Sequence, residues 1–200
     1  MKKLFSLVCG ILLIFAGSGI AGALVLDFDD ITIENYAEIF DGYGGFNWDN
    51  FYVVHRDHLP GTGYSFGNVS PFYSAYNYQA LEIAVARTDG SIFTFNGAWA
   101  TSAWSDNNEL TVKGYLNNAL VNEMTIPIYT QSRTWLDFDP NSLYTLDTLK
   151  FFSSNLQFVM DDFTYSKAAP VPEPATMLLL GFGLFGMAAV GRKKFLRNSV

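Results

Sequence analysis

Cysteine is almost missing from this 200-residue chain, and the one example, Cys9, lies inside an apolar run near the N-terminus. A lipidation signal puts its cysteine at a cleavage site after such a run, so Cys9 does not mark a lipoprotein. No thiol follows it. Disulfides, thiolate zinc sites, iron–sulfur clusters and cysteine nucleophiles are therefore excluded from the rest of the sequence. Histidine is nearly as scarce: only His55 and His58 occur. No segment repeats apolar residues at i, i+3, i+4 and i+7, so amphipathic helices are not expected, and there is no internal repeat or low-complexity tract.

Positive charge is also scarce in the middle of the chain. From Leu24 to Pro170 there are six Lys and Arg against eighteen Asp and Glu, a net charge of −12. The whole chain carries only −7, because Lys2, Lys3, Arg192, Lys193, Lys194 and Arg197 sit at its two ends. A middle segment of this sign repels nucleic acid and anionic lipid, and it supplies carboxylates for calcium.

What the ends do contain is addressing information. Met1-Lys2-Lys3, the apolar run Leu4 to Ala16 and the small residues Ala21-Gly22-Ala23 follow the order of a secretory signal peptide. Cleavage after Ala23 leaves Leu24 as the mature N-terminus, with the Sec machinery and signal peptidase as the implied partners. At the other end Val171-Pro172-Glu173-Pro174 precedes a 16-residue apolar stretch, 175–190. The prolines stop any strand. The stretch is short for a transmembrane helix but suffices with flanking Lys and Arg that snorkel. The basic cluster 192–197 stays cytoplasmic by the positive-inside rule. The expected organisation is a signal peptide at 1–23, an ectodomain at 24–167 and a tail at 168–200.

The ectodomain reads as all-β. Residues 25–32, 51–55, 81–86, 92–95, 110–116, 119–129, 135–138, 143–152 and 156–165 are short β-branched or aromatic runs. Asp89-Gly90 predicts a hairpin and Asn117-Asn118 another tight turn. About nine strands at this spacing predict an antiparallel β-sandwich or jelly roll. Residues 56–79, rich in glycine and aromatics, read as a long loop.

The tail resembles the PEP-CTERM sorting signal, in Pro172-Glu173-Pro174, the apolar helix and Arg192-Lys193-Lys194. The resemblance implies recognition and removal of the tail by a membrane protease, exosortase, after transient membrane insertion. It implies a Gram-negative, exopolysaccharide-making host, an inner-membrane intermediate, and a final place on the cell surface or in the biofilm matrix. The ectodomain resembles the jelly-roll domains of such proteins and the carbohydrate-binding modules of that type, in Leu26-Asp27-Phe28-Asp29, in Gly45 to Phe51 and in Phe158 to Phe163. No cofactor is required, but this second resemblance implies a structural calcium at Asp29, Asp30, Asp161 and Asp162. Asp161 is expected on the core side with Phe163 and Tyr165. Some proteins with this tail are called ice-binding; the regular Thr-x-Thr ladders of many ice-binding faces are missing here.

No catalytic set survives inspection, so the chain reads as a non-enzyme. Gly63-Tyr64-Ser65-Phe66-Gly67 fits G-x-S-x-G, but no strand–turn–helix context or later histidine supports it. His55 and His58 lack a third metal ligand and read as surface residues. Three readings of the ectodomain remain: a polysaccharide-associated binding module, a structural coat protein without a discrete ligand, and a polysaccharide-active enzyme. Exposed rings separate the first two, because sugar faces stack on Trp and Tyr. The residues expected to stack are Trp48, Tyr64, Tyr73 and Tyr76.

Overall fold

The computed structural model describes residues 22–138, 145–154, 156–167 and 180–184. Ala21, the motif Val171-Pro172-Glu173-Pro174 and the cluster Arg192-Lys193-Lys194 lie outside the described residues, as does most of the signal peptide. The chain divides into two units, Met1–Ala168 and Ala169–Val200. In the second, residues 180–184 are helical and the rest of the expected span lies outside the described residues. No described helix is long and apolar enough to cross a membrane.

Period-two alternation folds the first unit into strands. In chain order they are β1 (Leu24–Leu26), β2 (Tyr36–Glu38), β3 (Phe46–Asp49), β4 (Phe51–His55), β5 (Tyr73–Asn77), β6 (Ile83–Arg87) and β7 (Phe93–Ser102). Then follow β8 (Asn108–Leu116), β9 (Ala119–Ile128), β10 (Thr134–Leu136), β11 (Thr145–Leu146), β12 (Thr148–Ser153) and β13 (Phe158–Lys167). The larger sheet runs β10-β7-β13-β5-β4-β2, with β1 added to β13 and β11 to β7; the smaller runs β3-β6-β12-β8-β9. The sheets are antiparallel, as expected, and form a sandwich. Phe46 and Trp48 of β3, Phe51 and Val53 of β4, and Leu149 and Phe151 of β12 fill the space between the layers. Rings meet there edge to face: Phe46 lies 5.1 Å from Phe93, 5.5 Å from Phe163 and 4.7 Å from Tyr165. Each such pair adds about 0.5–1.5 kcal/mol beyond area burial.

One local expectation holds and four change. Asn117 and Asn118, at φ 52° and 64°, make the tight turn between paired β8 and β9. Asp89-Gly90 also turns, with the Gly90 N–H donating to the Arg87 carbonyl. It makes no hairpin, because β6 already has β3 and β12 on its two edges, so the chain passes to the other sheet. The strand expected over 25–32 stops at Leu26, because the Asp29 N–H bonds to Asp27 Oδ1 and Phe28 takes φ 62°, which turns its ring into the core. The supposed loop 56–79 contains a short helix, α1 (Gly63–Gly67), and β5, a fully buried strand between β4 and β13. Asp161 faces outward, because a register shift at Asp162 (φ 52°) separates it from core-facing Phe163 and Tyr165.

Candidate functional site: an aromatic groove and the clasp behind it

The four aromatics expected to stack on sugar are buried. Trp48 and Tyr64 are 2% exposed, Tyr73 is 5% and Tyr76 is 8%. Trp48 sits in the sandwich core, its Nε1–H donating to the Tyr43 carbonyl at 2.9 Å. The Tyr73 hydroxyl donates to the Glu34 carbonyl at 3.0 Å. Tyr64 and Tyr76 meet edge to face at 5.3 Å beneath α1. Burial pushes the Tyr76 hydroxyl up to about 12 and raises that of Tyr64 as well. None of the four presents a face to a ligand; all are packing residues. The other motifs resolve similarly. Ser65 Oγ donates to the Thr62 carbonyl within the first turn of α1. His55 lies parallel to Phe72, while His58 lies against Tyr36.

Three of the four predicted acids do come together, with Asp27, which the sequence reading passed over. Asp161 Oδ2 accepts from the Val69 N–H at 2.6 Å, the Ser70 N–H at 2.9 Å and the Ser70 hydroxyl at 3.0 Å. Its Oδ1 accepts from the Asp162 N–H at 2.8 Å. Asp29 Oδ1 accepts from the Phe72 N–H at 3.1 Å and the Tyr73 N–H at 2.7 Å. Two carboxylates thus clasp residues 69–73 from either side. Between them Ser70 Oγ is within 3.2 Å of four acceptors: Asp161 Oδ2, Asp29 Oδ1, the Asp27 carbonyl and the Tyr73 carbonyl. One hydroxyl proton serves all four. Burial pushes the Asp161 carboxyl up to about 7, against the hydrogen bonds that pull it down. Partial burial, Asp27 and Asp29 raise Asp162, and Arg133 opposes them.

This arrangement does not fit calcium, which takes six to eight oxygens. Asp161 Oδ2 and Asp29 Oδ1 each already accept two backbone N–H groups. Asp30 faces the Tyr43 hydroxyl instead, helping burial to raise its pKa. Among the described residues no three His, Cys, Asp or Glu side chains are placed to hold a metal ion.

The clasped segment forms one wall of an open groove of about 490 Å³, lined by Phe66, Val69, Trp99, Gln131, Ser132 and Arg133. Its floor is Trp99 on the outer face of the larger sheet. Trp99 pairs in register with Trp135 of β10, the rings 5.2 Å apart. Trp135 lies directly on Gly97, where an added Cβ would come within 2.2 Å of the indole. Arg133, from the opposite side, is tied to this wall: its Nε–H donates to the Phe66 carbonyl at 2.8 Å, and an Nη2–H to the Asn68 carbonyl. Phe66 and Trp135 are 40% and 38% exposed. The groove combines exposed ring faces with an amide, a hydroxyl and a guanidinium at the rim, the mixture that holds a ligand with apolar faces and polar edges. The sequence reading missed it. Its only trace there was the aromatic segment 56–79, of which the pertinent ring is Phe66.

An antiparallel sandwich followed by a tail with a surface-sorting signal defines the class of this protein. Residues 170–194 match the PEP-CTERM protein-sorting motif, which implies export and sorting to the cell surface in bacteria. No curated protein matches the chain. Among solved structures, it is similar to a DUF4465 family protein from Bacteroides ovatus ATCC 8483, at 12% identity and a TM-score of 0.48, over 75% of this chain and 90% of that one. It is also similar to TmCBM61, solved in complex with beta-1,4-galactotriose, at 9% identity and a TM-score of 0.33, over 67% of this chain and 94% of that one.

Proposed function

We propose that this chain is an exported surface or biofilm-matrix protein of a Gram-negative bacterium. In this reading signal peptidase releases it at Leu24 and exosortase removes the tail through Pro172, Glu173 and Pro174. The ectodomain is a non-catalytic module that holds polysaccharide in the groove beside Trp99. The observation that carries the binding reading is the groove itself: exposed Phe66 and the Trp99 ring, backed by Trp135, beside Gln131, Ser132 and Arg133. Pyranose rings offer apolar C–H faces to such aromatics and hydroxyls to the rim. The fold needs no cation in this reading, since hydrogen bonds already occupy the carboxylates of the clasp.

The test is a glycan array followed by affinity electrophoresis with the retained glycans. Trp99→Ala is expected to abolish retention while leaving the unfolding midpoint nearly in place. A protein that retains no glycan, or a Trp99→Ala variant that binds as well as the parent, overturns the groove as the site. A silent array favours the structural coat protein, the reading that the burial of Trp48, Tyr64, Tyr73 and Tyr76 supports.

A further inference from the structure

The groove carries a charge opposite to that of the chain around it. From Leu24 to Pro170 acids outnumber bases by eighteen to six, yet among the described residues that line the groove the only charged one is Arg133. We propose that the groove takes an acidic polysaccharide, with a uronic acid ring lying on Trp99 and its carboxylate on the Arg133 guanidinium; this deepens the binding reading of the groove and rests on it. A pyranose lays its C–H face on an indole. A carboxylate on C5 then projects from the edge of that ring, so a sugar seated on the floor directs it to the rim. Gln131 and Ser132 lie on the same rim, with an amide and a hydroxyl for the remaining sugar hydroxyls.

Arg133 is oriented before any ligand arrives. It stands two residues before Trp135, the partner of Trp99, and its bonds to the Phe66 and Asn68 carbonyls hold its side chain over the same outer face. Those bonds use the Nε–H and one N–H of Nη2. Three of the five guanidinium donors are left, in a plane that matches the two oxygens of a carboxylate. Neutral carbonyls satisfy N–H groups but do not cancel the charge. Three of the other cations are paired with acids: Arg87 with Asp89, Lys113 with Glu123 and Lys150 with Glu82. Among the described residues no carboxylate lies within ion-pair distance of Arg133. Asp162 feels its charge through space without being bonded to it. The net charge of −12 opposes an approaching polyanion, but remote carboxylates are screened beyond about 8–10 Å in physiological salt, and a contact pair lies well inside that length. The same comparison disfavours nucleic acid. A single strand needs a basic groove that follows its phosphates, whereas one uronate among neutral sugars needs one guanidinium.

The test uses the full-length protein in mild detergent and beads that carry gellan, hyaluronate or polygalacturonate, each beside the same polymer with its carboxyls reduced to alcohols. Binding isotherms are expected to show an acidic polymer held about tenfold more tightly than its reduced form in dilute salt, with the gap closing as salt rises. Arg133→Gln, which removes the charge, is expected to bind both forms alike, at the parent's affinity for the reduced one. Equal affinity of the parent for every acidic polymer and its reduced form overturns the proposal; the groove reading then stands if Trp99→Ala still abolishes binding. Arg133→Gln that loses both forms equally shows that Arg133 only holds the wall, and overturns it too. Should Arg133→Gln fail to fold, the paired polymers and the salt series of the parent decide alone. Polyglutamate or single-stranded DNA held as tightly as the best acidic polymer also overturns it, since charge without a sugar face would then suffice. Retention of none of these polymers removes the groove reading and this proposal together.

Discussion

Single residues decide how the groove is floored. Gly97 has φ 141°, and its missing Cβ is the space in which the Trp135 indole lies. Gly97→Ala is expected to push that ring off its seat and to cost about 2 kcal/mol, the scale of an overpacked contact plus backbone strain. Denaturant unfolding followed by tryptophan fluorescence measures both effects; an unchanged midpoint and spectrum would falsify the seating of Trp135. Phe163 touches Phe46, Trp48 and Phe95 at 5.3–5.5 Å. Phe163→Ala is therefore expected to cost about 3–5 kcal/mol by the same measurement. Such roles were only half legible in the sequence. Phe51 and Phe163 fall on runs read as strands, so their burial follows from period two. Trp48 and Tyr64 carry the same chemistry as Trp135 and Phe66, and nothing local says which ring meets solvent.

At the scale of elements, the segment between β4 and β5 is the informative case. Its glycines and prolines announce an irregular path, and it does leave the sheet to cover the outer face. Two carboxylates 43 or more residues distant in sequence hold its far end, Asp29 by the Phe72 and Tyr73 N–H groups and Asp161 by those of Val69 and Ser70. Asp29→Ala strands the Tyr73 N–H and is expected to cost about 1–3 kcal/mol. Because the clasp is made of hydrogen bonds, thermal unfolding of the protein is expected to give the same midpoint with calcium and with EGTA. A calcium-dependent rise abolished by Asp161→Ala would restore the metal site implied by the family resemblance.

For the whole molecule, two sets of carboxyls bend the stability curve in opposite directions. The Asp161 carboxyl is raised to about 7, so its contribution is full below about pH 3.8 and is lost as pH rises toward 7. Asp89, bonded to Ser91 and Arg87, and Asp106, bonded to Thr130, are held below the usual carboxylate range. Their contributions are present above 3.8 and fall away in stronger acid. The thermal midpoint is therefore expected to peak near pH 4–5. Between pH 5 and 8 the Asp161 share amounts to roughly 3 kcal/mol. A melting series in constant ionic strength checks it; a midpoint that rises from pH 5 to 8 rules out the buried acid as the dominant group. The tail makes its own prediction at this scale. Intact mass of the surface or released protein from an exosortase-positive host is expected to lack residues 192–200, and replacing Pro172, Glu173 and Pro174 by alanine to retain them.

By itself the sequence determined the sorting signal at 170–194 and the all-β character of the middle segment. Both are written in contiguous residues: a motif with its flanks, and an alternation with period two. The Asn117-Asn118 turn belongs with them, because positive φ at both positions is a local property. Tertiary structure alone decided which sheet each strand joined, which aromatics were buried, and which acids met. Asp89-Gly90 specifies a turn but not the partner of the strand that follows it. The groove is likewise assembled from α1, β7 and the residues before β10, brought together only when the outer face of the larger sheet is covered. A binding surface made from distant segments leaves no contiguous pattern, since the forces that form it act between side chains that are neighbours only in the folded chain.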